Sequence, residues 1–189
     1  MMTLIKRVQW SGCALLAAVL VAGGWLAGRA ADDKKSEFAR ATIDLGVVAS
    51  DVDKSVKFYK DAIGFEEIQG FSVGADFCAQ AGLTDRRELS IHVLVLEDSP
   101  AATRLKLMSV PGAANKKSDN AFIHAQLGYR YLTIYVANLS ETLLRLKKAG
   151  AAPIGKAPVP LPKDLSGDLA LVVVRDPDGN MVELIGPLR

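Results

Sequence analysis

Histidine and cysteine are both scarce in this 189-residue chain, which has two of each: His92 and His124, Cys13 and Cys78. Cys13 falls inside an N-terminal apolar run, so Cys78 has no partner, and a disulfide framework or a cluster of thiolate metal ligands is excluded. The two imidazoles are the chain's whole supply of nitrogen ligands. Aromatic residues make up only 6% of the chain. Beyond residue 30, no cluster of Lys and Arg interleaved with aromatics appears, which excludes a nucleic-acid partner.

What is present at the N-terminus is a targeting pattern. Lys6 and Arg7 precede an uncharged run from Val8 to Leu26, then Gly28-Arg29-Ala30 and the charged group Asp32-Asp33-Lys34-Lys35. A positive head, an apolar middle and small residues before a cut after Ala30 describe a secretory signal over residues 1–30. The run is also nearly long enough to span a bilayer, so residues 8–26 read alternatively as an uncleaved membrane anchor. Either way the remainder is expected to be exported, periplasmic or extracellular. Removing residues 1–30 takes away Lys6, Arg7 and Arg29 and no acid, so 23 basic residues become 20 against 21 acidic ones, a charge of −1. The overall basic balance therefore belongs to the targeting segment. Residues 31–41 read as a polar linker.

From residue 42 the pattern is β-α-β-β-β, twice. Thr42 to Ala49 reads as a strand, and Ser50 or Asp51 caps a helix whose Val52, Val56, Tyr59 and Ile63 recur at helical spacing before Gly64 closes it. Phe65 to Phe71, Glu88 to Glu97 and Arg104 to Val110 read as strands, with a loop or short helical turn at Asp76 to Gly82. In the second half, Tyr129 to Ala137 is a strand, Asn138 a cap, and Leu139, Leu143, Leu146 and Ala149 a helical stripe closed by Gly150. Strands at Ala152 to Val159, Leu169 to Val174 and Met181 to Ile185 complete it. A shift of 87 lays Asp51-Val52 on Asn138-Leu139, and a shift of 77 lays Leu105-Lys106-Leu107 on Val182-Glu183-Leu184. Each unit alone is too small to bury both faces of its sheet, so two would pair around one core. The predicted class is α+β: paired β-α-β-β-β modules, about 42–111 and 129–188, forming one cupped, mixed, mostly antiparallel sheet over residues 42–188.

The segment Asp176-Pro177-Asp178-Gly179-Asn180 is a tight-turn signal between two strands. On the strand after it, Met181, Glu183 and Ile185 share a face, which sets a lone carboxylate among apolar residues. Composition alone makes Glu183 a solvent-facing acid on a half-exposed strand. A site residue is the other reading.

Several runs together resemble the vicinal oxygen chelate superfamily, which includes glyoxalase I, bleomycin-resistance proteins and extradiol dioxygenases. They are Asp44-Leu45-Gly46-Val47-Val48-Ala49-Ser50-Asp51, Lys57-Phe58-Tyr59, Ile63-Gly64-Phe65, Leu127-Gly128-Tyr129-Arg130-Tyr131-Leu132, and Asp176 through Leu184. In that superfamily a divalent ion sits in the cup, on His and Glu residues of the first and last strands of each module. By this resemblance the four positions fall to Asp44, Lys106, Tyr131 and Glu183, of which only Glu183 is the family's residue. Lys106 brings an ammonium that repels a cation and pairs with a carboxylate. Two carboxylates without imidazole or thiolate are a poor set for Zn²⁺ or Ni²⁺. The expectation is that the usual metal site is lost; if a divalent metal binds at all, Glu183 and Asp44 are its ligands.

His92 shares a strand face with Leu94 and Leu96, so it reads either as a hydrogen-bonded core or cup residue or as a substitute ligand; His124 reads as a loop residue. The expected function is binding of a small organic molecule in the cup by Asp44, Lys106, Tyr131, Glu183 and His92, with Glu183 as general base if catalysis occurs. Lys106 either neutralises Asp44 or Glu183 in a vestigial site, or holds an anionic ligand oxygen. The alternatives are a metal-dependent lyase, isomerase or dioxygenase with an atypical ligand set, and a membrane-tethered interaction module. A homodimer is implied by the resemblance alone.

Overall fold

A computed structural model describes residues 37–189, of which Phe38–Arg189 form one compact unit. The signal or anchor assigned to residues 1–30, and all of the linker except its last few residues, lie outside the described residues. No helix among the described residues is long and apolar enough to cross a membrane.

The first module runs β1 (Leu45–Val48), α1 (Val52–Phe58), β2 (Glu66–Val73), α2 (Ala75–Gln80), β3 (Leu89–Val95) and β4 (Leu105–Ser109). The second runs β5 (Tyr131–Tyr135), α3 (Leu139–Lys148), β6 (Val159–Pro160), α4 (Lys163–Ser166), β7 (Ala170–Arg175) and β8 (Met181–Gly186). Each builds a four-stranded sheet, in the orders β1-β4-β3-β2 and β5-β8-β7-β6. In both, the first and last strands pair parallel and the other neighbours antiparallel.

The duplication is visible in the caps. Asp51 accepts a hydrogen bond from the Lys54 N–H at 3.1 Å, and Asn138, 87 residues on, accepts one from the Glu141 N–H at 3.2 Å. Each satisfies an N–H that its helix leaves without an internal partner. Gly64 and Gly150 end the two helices at φ +99° and +75°, in the left-handed region that a Cβ disfavours. The first helix is one residue longer between cap and glycine, because α1 runs into a π-helical turn over Tyr59–Ile63. A wider i→i+5 turn absorbs the extra residue, so that both helices still end on a left-handed glycine.

The two modules share one core. Leu94, Leu105 and Leu107 from the first sheet and Val172, Val174, Val182 and Leu184 from the second meet Tyr59, Ile63, Leu139 and Leu146 of the helices. Each fully buried Leu or Val here contributes about 1.5–3 kcal/mol of transfer free energy. The alternate residues of the same strands, among them Gly46, Lys106, Thr133 and Glu183, therefore face away from that core, onto the cupped side. On the first sheet, α2 closes the β2 and β3 part of this side: Cys78 packs on Leu89, Ile91 and Val93. Cys78 is a buried free thiol, with Sγ donating to the Val73 carbonyl at 3.5 Å.

One expected strand is mostly not a strand. Between Ala152 and Val159 the chain makes a single bridge, Pro153 to Val174, and pairs regularly only at Val159–Pro160. Pro153, Pro158, Pro160 and Pro162 carry no N–H to offer a ladder, so this edge stays irregular.

Candidate functional site

Strand register decides which side chains meet on the cupped side. Lys106 lies opposite Gly46 on the β1–β4 pair, and Glu183 lies opposite Thr133 on the β5–β8 pair. Shifting Gly46 by 87 gives Thr133, and shifting Lys106 by 77 gives Glu183. The two pairs are therefore the same place in two copies of one module, carrying opposite charges.

Thr133 has a hydroxyl to give, and its Oγ1 donates to Glu183 Oε2 at 2.8 Å. Gly46 has no side chain, and a Cβ there would come within 3.0 Å of the Met108 terminal methyl carbon. Lys106 accordingly reaches back past the start of β1 and sets its Nζ 2.8 Å from Asp44 Oδ2. The other oxygen, Asp44 Oδ1, lies 2.9 Å from an Arg40 Nη. One carboxylate is thus held between two cations. Its side chain is 15% exposed, against 28% for Lys106 and 46% for Arg40. The Lys106 contact, helped by Arg40 and opposed by partial burial, holds the Asp44 carboxyl below its ordinary range.

Of the four expected site residues the structure brings only Asp44 and Lys106 into contact, while Glu183 takes a partner the sequence did not single out. Asp44 meets Lys106, and Glu183 meets Thr133. Among the described residues no ion pair or hydrogen bond links one pair to the other, and no three His, Cys, Asp or Glu side chains stand together as metal ligands. Tyr131 lies on the outer strand β5 opposite Met181, about half exposed.

His92 is not on the cupped side, which corrects its place among the ligand-binding residues. It lies opposite Leu107 on the core-facing side of β3, because strand alternation puts it in phase with Leu94 and out of phase with Val93 and Lys106. Its Nδ1 sits 2.8 Å from Glu67 Oε1, and Lys60 donates to the other oxygen of Glu67 at 3.1 Å. Contact with His92, then with Lys60, holds the Glu67 carboxyl below its ordinary range. His124 is in the loop between the modules, stacked on Phe122 with ring centroids 5.7 Å apart.

The loop from Gly112 to Gly128 and the β7–β8 turn border the cup. Arg130 donates to the carbonyls of Asp119 and Ile123, and Arg175 to those of Ala121 and Gly179, so the loop is tied to the turn. A hollow of about 100 Å³ opens between the end of β1, this loop and the turn, lined by Val48, Lys116, Lys117 and Asp178 among others. Asp178 accepts the Ser50 N–H at 3.0 Å, so its carboxylate is committed to the neighbouring backbone. A larger cleft, about 750 Å³, runs between α1 and α3 on the helical side and includes none of the four expected site residues.

Two contributors escaped the sequence. Thr133 was within reach, since the 87-residue shift that pairs the helix caps carries Gly46 onto it. Arg40 lies in the linker four residues before Asp44, where no strand or helix pattern places a side chain.

Duplicated β-α-β-β-β modules on a common core, with the last strand of each facing a cup, define a fold class shared by enzymes and binding proteins. Residues 42–184 match the Glyoxalase/Bleomycin resistance protein/Dioxygenase superfamily, and the chain belongs to that family. Among solved structures it is similar to a glyoxalase family protein from Bacillus cereus, at 22% identity and a TM-score of 0.66, covering 82% of this chain and 99% of that one. It is also similar to the trypanothione-dependent glyoxalase I of Leishmania major, at 21% identity and a TM-score of 0.54, covering 78% and 86%. Glyoxalase I from Zea mays aligns at 18% identity and a TM-score of 0.56, covering 78% of this chain and 47% of that one. Likeness at these identities shows the fold alone. Among curated protein sequences none matches at a significant level.

Proposed function

We propose that this chain is an exported, metal-independent member of the family that binds a small organic molecule on its cupped face, with Asp44, Lys106, Tyr131 and Glu183 as contact residues. The observation that carries the reading is the Lys106–Asp44 contact at 2.8 Å. It puts an ammonium at one of the positions where a chelating acid is needed and occupies the neighbouring carboxylate. The donor chemistry does not fit a divalent ion: Asp44 is engaged by two cations, and Glu183 is left without imidazole or thiolate company. No step is assigned to a metal. Glu183, with one oxygen fixed by Thr133 and the other without a hydrogen bond among the described residues, is the group suited to accept a proton from a bound molecule.

Export rests on the Lys6-Arg7 head and the uncharged run to Leu26. The outer edge of β5, unpaired among the described residues, is the surface through which a homodimer would form.

Thermal unfolding of the full chain after exhaustive dialysis against EDTA tests the reading. Within a panel of small organic molecules that are anionic, neutral and cationic, at least one should raise Tm, because a ligand that binds only the folded state stabilises it by mass action, whereas Zn²⁺, Ni²⁺ and Mn²⁺ should leave it unchanged. A rise that appears only after metal is returned would overturn it.

A further inference from the structure

We infer that the molecule the cup takes is an anion, that its charge is met by Lys106 and Arg40, and that Asp44 is a built-in competitor for the same two cations. The inference rests on the proposed function above and adds the charge class of the ligand.

The local charges are unequal. Around Asp44 there are two cations and one carboxylate, and both cations remain partly open to solvent. An ammonium has three N–H donors and a guanidinium five, so one shared carboxylate leaves most of them free for a second acceptor. The Met108 side chain lies over Gly46, opposite Lys106, so the ammonium has an apolar neighbour on that side and, among the described residues, no further acid competing for it there. A second basic group lies at the far end of β1, where Lys116 and Lys117 line the hollow beside Val48. Val48, at the edge of that hollow, is four residues of extended chain, about 13 Å, from Asp44. At that distance the second basic group adds to the potential that draws an anion in rather than to the contact itself. The one acid in that hollow, Asp178, is turned to the Ser50 N–H. Glu183, in the equivalent place of the second module, is the cup's opposing charge. It suits a ligand that carries a hydroxyl or other proton donor as well as its anionic group.

Asp44 gives the inference its sharpest consequence. If Lys106 and Arg40 serve only to neutralise a partly buried acid, removing either side of the contact harms the site. If they serve a ligand, removing the competing acid frees them, and the two substitutions act in opposite directions.

The probes are three molecules with one ring and three charges: 4-hydroxyphenylacetate, its neutral amide and tyramine. Binding to the full chain is measured by titration calorimetry in EDTA-treated buffer. The expected result is that the carboxylate binds at least tenfold more tightly than the amide or the amine, that Lys106→Met weakens it at least tenfold, and that Asp44→Asn strengthens it severalfold. Circular dichroism of each variant confirms that it is folded. For a misfolded Lys106→Met, Arg40→Gln carries the same expectation. Equal affinity for all three probes, no binding by any of them at millimolar concentration, or loss of affinity in both Asp44→Asn and Lys106→Met would overturn the inference. Equal affinity leaves the metal-independent reading standing, whereas binding that returns only with added metal removes that reading too.

Discussion

Tyr59, at the end of α1, donates its phenol hydrogen to Asp176 Oδ2 at 3.1 Å, joining residues 117 positions apart in different modules. Asp176 is itself 5% exposed and also accepts from the backbone N–H groups of Asp178 and Asn180 and from the Asn180 side chain. The turn of the second module is therefore shaped around a carboxylate that the first module's helix helps to satisfy. Tyr59→Phe should cost about 1.5–3 kcal/mol in urea unfolding, the usual range for a hydrogen bond to a charged group. Burial first, and then the neighbouring Asp176, push the Tyr59 hydroxyl well above its ordinary value. A group raised in the folded state stabilises in full below its unfolded value, near 10, and loses that contribution as pH climbs past it. The wild type should therefore lose stability above about pH 10 by a component that Tyr59→Phe lacks.

Arg145 makes the same kind of join in the other direction. From α3 it donates to the carbonyls of Ala62 and Ile63, in the last turn before Gly64, at 3.1 and 2.7 Å. Arg145→Ala strips both acceptors of their partner and should cost about 2 kcal/mol or more. Arg145→Lys, with a point charge in place of a fork, should recover only part of that loss.

Asp44 provides an acid-side test. Its carboxyl is held below its ordinary value by Lys106 first and also by Arg40, so its contribution is complete above the unfolded value of about 3.9 and lost as pH falls through the lower folded one. In urea unfolding, the stability gap between the wild type and Asp44→Asn should be constant near neutral pH and close below about pH 4. A gap that stays constant through that range would mean that the contact does not form in solution.

Thr133→Val keeps the shape and removes the donor to Glu183. The expected loss is about 1 kcal/mol in chemical unfolding. If Glu183 accepts a hydrogen bond from a bound ligand, ligand affinity should also change in the variant, which a purely packing role for Thr133 would not produce.

The duplication is legible in the sequence because its strongest signals are local. Asp51 and Asn138 are caps, Gly64 and Gly150 are helix ends, and each needs a particular residue type for its own backbone. Side-chain pairing across strands is less legible, since it depends on register, which no single strand reveals. Counting along β5 matches Tyr131 to Asp44, yet Glu183 bonds Thr133, because Thr133 is the residue opposite it. His92 shows the same limit: its shared face with Leu94 is readable, but not that this face turns to the helices. The expected strand from Ala152 to Val159 carries its own warning, two prolines, Pro153 and Pro158, without an N–H where a strand needs donors.

The most direct test of the central claim is elemental analysis of the full chain purified without chelators and without a His tag, for both the wild type and Glu183→Gln. The expected result is less than a tenth of an equivalent of any transition metal in either protein. One equivalent in the wild type that disappears in Glu183→Gln would contradict a metal-independent cup and return Lys106 to the status of a bystander.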